Sequence, residues 1–337
     1  MTCTDCSYVL RLHHHLWLNS AMRASWLPRR EGVAVAGVLA AATVFVATVP
    51  ATALVAPVPG SPAAARPVAV VPGLPAGGGT LAAPRVWLRG AELVDAGTGT
   101  QLWGKDINVS RPMGSITKVM TALLVLRAGD LDRKIKVTRA AIRYVHSGGA
   151  SSAGLIAGDV LTARDLLKAM LIPSGCDAAY LLAGSYGPGR RAFVSKMNAA
   201  AQAIGLTGTH FTSFDGMPYP TEHSTYSTPA DLIRLGELAM RHPVFRRIAA
   251  MRSFRLAAAD GHHGYLWQTT NELLGSYRGA IGIKTGNTNA AGNCLLFEAH
   301  RASGTLIGVM LHADPTDRWD ALFTAARRML NWGFRRL

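Results

Sequence analysis

The succession of hydrophobic patterns predicts an α+β domain, with one antiparallel sheet and helices packed on it. Three observations carry that prediction: two strand-like runs early in the chain, a helical middle, and three strand-like runs near the end. Val86–Asp95 and Gln101–Asn108 are the early strands, joined by Ala96-Gly97-Thr98-Gly99, a turn composition suited to a hairpin. From Ile116 to Leu126, apolar residues fall at 116, 119, 120, 123, 124 and 126, the spacing of a largely buried helix. Thr162–Leu171, Asp177–Ala183, Arg190–Ile204 and Thr228–Met240 read as further helices. Ala280–Lys284, Asn293–His300 and Thr305–His312 read as the late strands, with Ser303-Gly304 as the turn between the last two. Asp317–Phe334 closes the chain as an amphipathic helix.

Ahead of this domain, residues 1–32 are an N-terminal region in which Met22 would make a tidier start than Met1. Arg29-Arg30 precede the apolar run Val33–Val49, which continues weakly to Ala56. Positive charge before an apolar stretch directs the downstream chain outward, so residues 33–56 read as a signal peptide or a membrane anchor. Ala51-Thr52-Ala53 and Leu54-Val55-Ala56 are small-residue sites where a peptidase could cut. Either outcome makes the remainder extracytoplasmic, secreted or anchored at the cell envelope. Residues 57–84 are rich in Pro and Gly and almost uncharged, the composition of a semi-extended linker, which leaves 85–337 as the folded domain.

Of the 337 residues, 49% are hydrophobic, so wholesale disorder is excluded. Four cysteines are too few for a disulfide scaffold at this length. Cys3-x-x-Cys6 with His13-His14-His15 is a poor zinc signature, and no metal is expected. The net charge of +15 suggests an anionic neighbour, either a membrane surface or an acidic wall polymer. No Lys/Arg run is interleaved with aromatics, so no nucleic-acid surface is expected.

Three short motifs carry chemistry. Ser115-Ile116-Thr117-Lys118 is the only Ser-x-x-Lys in the chain. At a helix start, positions three apart share a face, so the amine can reach the hydroxyl. A serine is a weak nucleophile until a neighbouring base takes its proton. A lysine does this only when neutral, a form that burial and the positive end of a helix favour. Ser174-Gly175-Cys176-Asp177 precedes an Ala-rich helix, where a Ser and an Asp also suit plain capping. Lys284-Thr285-Gly286 ends a strand: Lys284 and Thr285 point to opposite faces, and Gly286 allows close approach of an extended peptide.

Each motif alone has an ordinary structural explanation. Their order, with 59 residues from the first serine to the second and 110 more to the lysine, is a combination that chance rarely supplies. Supporting stretches include Met197-Asn198, Phe214-Asp215-Gly216 and Ser227-Thr228-Pro229-Ala230-Asp231-Leu232. With these, the chain resembles the serine D-alanyl-D-alanine carboxypeptidases, the low-molecular-mass penicillin-binding proteins of peptidase family S11.

The resemblance implies the fold shared by serine β-lactamases and penicillin-binding proteins: a five-stranded antiparallel sheet flanked by helices, with a mainly helical subdomain. It implies that Ser115 attacks the penultimate D-Ala carbonyl of a peptidoglycan stem peptide and that β-lactams acylate the same hydroxyl. Lys118 would be the general base and Ser174 a proton relay. Lys284 would supply positive charge, and Thr285 would hold the substrate carboxylate beside Gly286. The N–H groups of Ser115 and Asn287 would form the oxyanion hole. No cofactor is implied.

The family's second motif usually ends in Asn, where this chain has Cys176. A thiol is a weak partner in either hydrogen-bonding role, so contact of this position with the substrate backbone is in question. Cys294 lies ten residues past Lys284, on the strand expected to pair with the catalytic one, so in an exported protein the two thiols could oxidise to a Cys176–Cys294 disulfide or at least approach closely, the alternative being two reduced, packed cysteines. Two rival functions remain. A catalytically weak wall-peptide receptor or sensor would fit the Cys176 substitution, whereas a β-lactamase would need a second general base that neither Glu222 nor Glu237 has the context to supply.

Overall fold

The computed structural model describes residues 82–313 and 318–337. The signal or anchor reading of 33–56, the Cys3/Cys6/His13–15 group and nearly all of the linker lie outside the described residues. Hairpin β1 (Gly90–Asp95) and β2 (Thr100–Lys105) opens the domain. A short β3 (Arg111–Pro112) and a 3₁₀ turn (Gly114–Thr117) lead into helix α1 (Lys118–Ala128). The helical part comprises β4 (Lys134–Lys136), α2 (Arg139–Gly148), β5 (Val160–Thr162), α3 (Ala163–Leu171), α4 (Cys176–Tyr186) and α5 (Arg190–Ala203). It continues through β6 (Tyr226–Ser227), α6 (Pro229–Met240) and α7 (Pro243–Ala249). Hairpin β7 (Ser253–Leu256) and β8 (Tyr265–Gln268) precedes β9 (Ala280–Gly286), β10 (Cys294–Arg301) and β11 (Gly304–Leu311), and α8 (Trp319–Phe334) ends the chain.

The sheet runs β2-β1-β11-β10-β9, antiparallel throughout, so the early hairpin and the three late strands form the one five-stranded sheet that the sequence predicts. Period-two alternation sorts its side chains between two layers. Leu93, Leu295, Phe297, Leu306 and Met310 pack with Leu322, Phe323 and Met329 of α8. Val94, Leu296, Ile307 and Val309 point the other way, into the larger core built around α1. Both faces are therefore covered, and β9 is left as an edge.

Helix α1 carries buried residues on nearly every side, including Val119, Met120, Leu123 and Val125, because α3, α4, α5, α6 and α7 all pack against it. A helix apolar all round belongs in an interior. Its start is fixed in turn by β9, which touches the 3₁₀ turn before it. Threonine caps start three of the other helices, α2, α3 and α6: Thr138 accepts from Ala141 N at 3.2 Å, Thr162 from Asp165 N at 3.0 Å and Thr228 from Asp231 N at 3.1 Å, with Pro229 at the first position of α6.

Candidate active site

The 3₁₀ turn ahead of α1 presents Ser115, half-buried, and the first residue of α1 is Lys118, fully buried at 0% exposure. Three positions of helix bring Lys118 Nζ to 2.7 Å from Ser115 Oγ, as the motif spacing predicts. Lys118 Nζ also donates to the main-chain O of Asp215 at 3.0 Å and to Cys176 Sγ at 3.2 Å. No carboxylate pairs with it among the described residues.

Across a cavity of about 350 Å³ stand Ser174 and the end of β9. Lys284 Nζ, 1% exposed, donates to Ser174 Oγ at 2.9 Å and to the O of Thr285 at 3.0 Å. Burial first, and then the neighbouring Lys118, push the Lys284 amine well below the usual lysine range. Lys284 thus meets the Ser174 hydroxyl directly at the cleft wall. Thr285 Oγ1 shares a 2.6 Å hydrogen bond with Thr270 Oγ1, and Ser115, Ser174, Thr285, Gly286 and Asn287 all line the cavity.

Two glycines make this convergence possible. A Cβ on Gly286 would stand 2.3 Å from the O of Met113, inside the backbone of the nucleophile's own turn. Gly216, at φ +88, would place a Cβ 2.0 Å from the O of Gly114. Strand end, nucleophile turn and the 215–216 segment are thus packed backbone to backbone.

The D-alanyl-D-alanine carboxypeptidase family, peptidase S11, matches residues 80–315. The chain belongs to that family. Members are serine hydrolases, in keeping with the Ser115–Lys118 pair. The carboxypeptidase of Streptomyces strain K15 is 39% identical over 263 residues, covering 74% of this chain and 88% of that protein. DacB2 of Mycobacterium tuberculosis H37Rv is 35% identical over 242 residues, 72% and 80% of the two chains. The crystal structure of the Streptomyces K15 DD-transpeptidase superposes with a TM-score of 0.71 at 38% identity, covering 76% of this chain and all of that one. These likenesses confirm the α+β penicillin-binding-protein fold expected from sequence.

Two expectations for this S11 member are corrected. Cys176 and Cys294 are not joined in a disulfide. Cys294 Sγ donates to the O of Ala291 at 3.3 Å, while Cys176 Sγ is turned to Lys118 and, at 3.6 Å, to Ser151 Oγ. Nor does Cys176 line the cavity: it is buried under the lysine, and burial pushes its thiol upward although Lys118 pulls the other way.

Sequence reasoning assigned no role to several residues that shape the site. Asp215, within the Phe214-Asp215-Gly216 stretch, holds Lys118 through its O while its carboxylate accepts from Tyr144 OH at 2.8 Å and Met217 N at 3.1 Å. Burial, then the Asp215 charge, keep the Tyr144 hydroxyl far above the phenol range, a neutral donor. Ser151 Oγ donates to the O of Ser174 at 2.6 Å, and Trp319 closes part of the rim. Only the Asp215 stretch had a local signal, in the family motif around it.

Proposed function

We propose that the protein is a serine D,D-carboxypeptidase that removes the terminal D-Ala of peptidoglycan stem peptides through an acyl-enzyme on Ser115, the hydroxyl that β-lactams also acylate. The observation that carries this reading is a pair of Ser–Lys contacts, 2.7 Å at Ser115–Lys118 and 2.9 Å at Ser174–Lys284, facing one cavity. Lys118 accepts the Ser115 proton as Oγ attacks the carbonyl of the penultimate D-Ala. Oxyanion charge goes to the N–H groups of Ser115 and Asn287, each worth on the order of 3 kcal/mol in comparable sites. The proton taken up by Lys118 passes on, with Ser174 as relay, to the departing D-Ala amine, which returns Lys118 to its neutral form, and Thr285 hydrogen-bonds the D-Ala carboxylate. Water then attacks the ester, with Lys118 as base, and the Ser115 hydroxyl is restored.

The receptor reading rested on Cys176, whose thiol lies under Lys118 and beside the Ser115–Lys118 pair, which stays assembled in its presence. A β-lactamase reading gains nothing from Glu222, which accepts from Ala290 N, or from Glu237, and neither lines the cavity. The reading places the domain outside the cytoplasm, supported by the apolar run behind Arg29-Arg30. Exposed Arg85, Arg328 and Arg335 around Trp332 suit an anionic wall polymer or membrane surface. The test is D-Ala release from diacetyl-Lys-D-Ala-D-Ala. Wild type releases D-Ala and Ser115→Ala does not; tight binding with no D-Ala from wild type rejects the enzyme in favour of the receptor.

A further inference from the structure

Beside the cleft lies a second cavity of about 730 Å³. Tyr144 of α2, Val194 of α5, and Phe211 and Phe214 of the segment after α5 give it a largely apolar wall. The two cavities adjoin, because Ala150 and Met217 line both. One wall differs in kind. Arg190 and Arg191 line it from the first turn of α5, both exposed and neither in an ion pair among the described residues. Arg190 lies over the Tyr180 ring at 3.8 Å. That turn holds no acidic residue, and its cap, Gly189, contributes no side-chain hydrogen bond. Two guanidinium groups and the positive end of a helix thus stand beside an apolar pocket that opens onto the nucleophile's cleft.

We propose that this cavity receives the side chain of the residue preceding D-Ala-D-Ala, and that Arg190 and Arg191 select an aliphatic arm ending in a carboxylate. The inference rests on the D,D-carboxypeptidase reading and adds a substrate class to it. A peptide acylating Ser115 continues upstream out of the cleft, one residue advancing it by roughly 3.4 Å. An arm of diaminopimelate type lays its methylenes on the apolar wall and its distal carboxylate between the arginines. A lysine arm of the same reach ends in an ammonium alone, which meets like charge there. The pocket wall is also tied to catalysis: Tyr144 OH donates to the Asp215 carboxylate, and the O of Asp215 accepts from Lys118 Nζ. Binding of the arm is thereby expressed in kcat/KM and not in KM alone.

The experiment compares Nα-acetyl-Lys-D-Ala-D-Ala with Nα-acetyl-meso-diaminopimelyl-D-Ala-D-Ala, which differ by one carboxylate, on the full-length protein. The expected kcat/KM for D-Ala release favours the diaminopimelyl peptide by about tenfold, a preference that shrinks with added salt. Arg190→Gln/Arg191→Gln brings the ratio near one, and Arg190→Glu/Arg191→Glu reverses it. A ratio of one in wild type, or one that the arginine variants leave unchanged, overturns the inference while the carboxypeptidase reading stands. If neither peptide is cleaved that reading fails, and calorimetric binding of both peptides to Ser115→Ala then decides: equal affinities overturn the subsite, and a preference abolished by Arg190→Gln/Arg191→Gln supports it.

Discussion

Ser174 holds its backbone at φ +67, in the left-handed region that non-glycine residues seldom adopt. Conformations of this kind cost on the order of 1 kcal/mol and persist where the surroundings impose them. Here Ser151 Oγ fixes the Ser174 carbonyl at 2.6 Å while Lys284 Nζ meets its hydroxyl at 2.9 Å. The strain therefore aims Oγ at the lysine. Ser174→Ala is expected to lower kcat by roughly 10²–10⁴ with little change in thermal stability, measured by D-Ala release and a melting curve. A variant of wild-type activity would remove Ser174 from the proton path. The thiols offer a second check at this scale. Full-length Cys3→Ser/Cys6→Ser protein, denatured without reductant, should titrate two thiols, Cys176 and Cys294; none would restore the disulfide.

Among the elements, the start of α4 shows how a residue suited to capping became a tether. Asp177 was legible as a helix-start acid, but α4 is capped by Gly175, and the carboxylate reaches back to the 152–155 loop instead. It accepts from Ser152 Oγ at 2.7 Å, from Ala153 N at 3.0 Å and from Leu155 N at 3.4 Å. Asp177→Ala strands these buried donors and should destabilise the protein by about 2–3 kcal/mol in urea unfolding. A loss below about 0.5 kcal/mol would mean that water replaces the carboxylate freely. The elements that sequence reading passed over share one physical reason. Helix α2 runs ten residues and buries only Ala141 and Val145 fully, and α7 runs seven with two arginines in its last turn, so each offers an apolar face too short to stand out in the sequence. Hairpin β7–β8 alternates in burial, but its strands have four residues each and Leu266 faces outward opposite Arg255, so the apolar pattern is short and interrupted. Strands β1, β9, β10 and β11 were legible as runs of buried residues, and β2, which buries none, through the Gly-containing turn that joins it to β1.

At the scale of the whole molecule, the sheet carries a carboxylate in its interior. Glu92 of β1 is buried, with Oε2 lacking a hydrogen-bond partner, and its carboxyl is pushed up to about 7 by burial and then by Glu237. Between the ordinary value of 4.5 and about 7, the native chain binds a proton that the unfolded chain has released. Stability from this group is thus complete below that window and falls as pH rises through it. Glu92→Gln should raise the melting temperature by several degrees at pH 8 and leave it nearly unchanged at pH 4, read by calorimetry. Equal shifts at both values would contradict the titration.

Site legibility obeys the same logic across the molecule. Ser115, Lys118, Ser174 and Lys284 carry their chemistry in short motifs. Asp215 acts through its main chain on a lysine 97 positions away, and Ser151 acts on a carbonyl 23 positions on. Such contacts exist only after the sheet edge, the nucleophile turn and the 215–216 segment have packed together. Every residue of the cleft lies beyond position 114, so a chain beginning at residue 82 should keep kcat/KM within about twofold of full length.

Catalysis turns on one reactive hydroxyl. Incubating the protein with a fluorescent penicillin and mapping the adduct by tandem mass spectrometry should place one acyl group on Ser115, with labelling lost in both Ser115→Ala and Lys118→Ala. An adduct on any other residue, or undiminished labelling of Lys118→Ala, would contradict it.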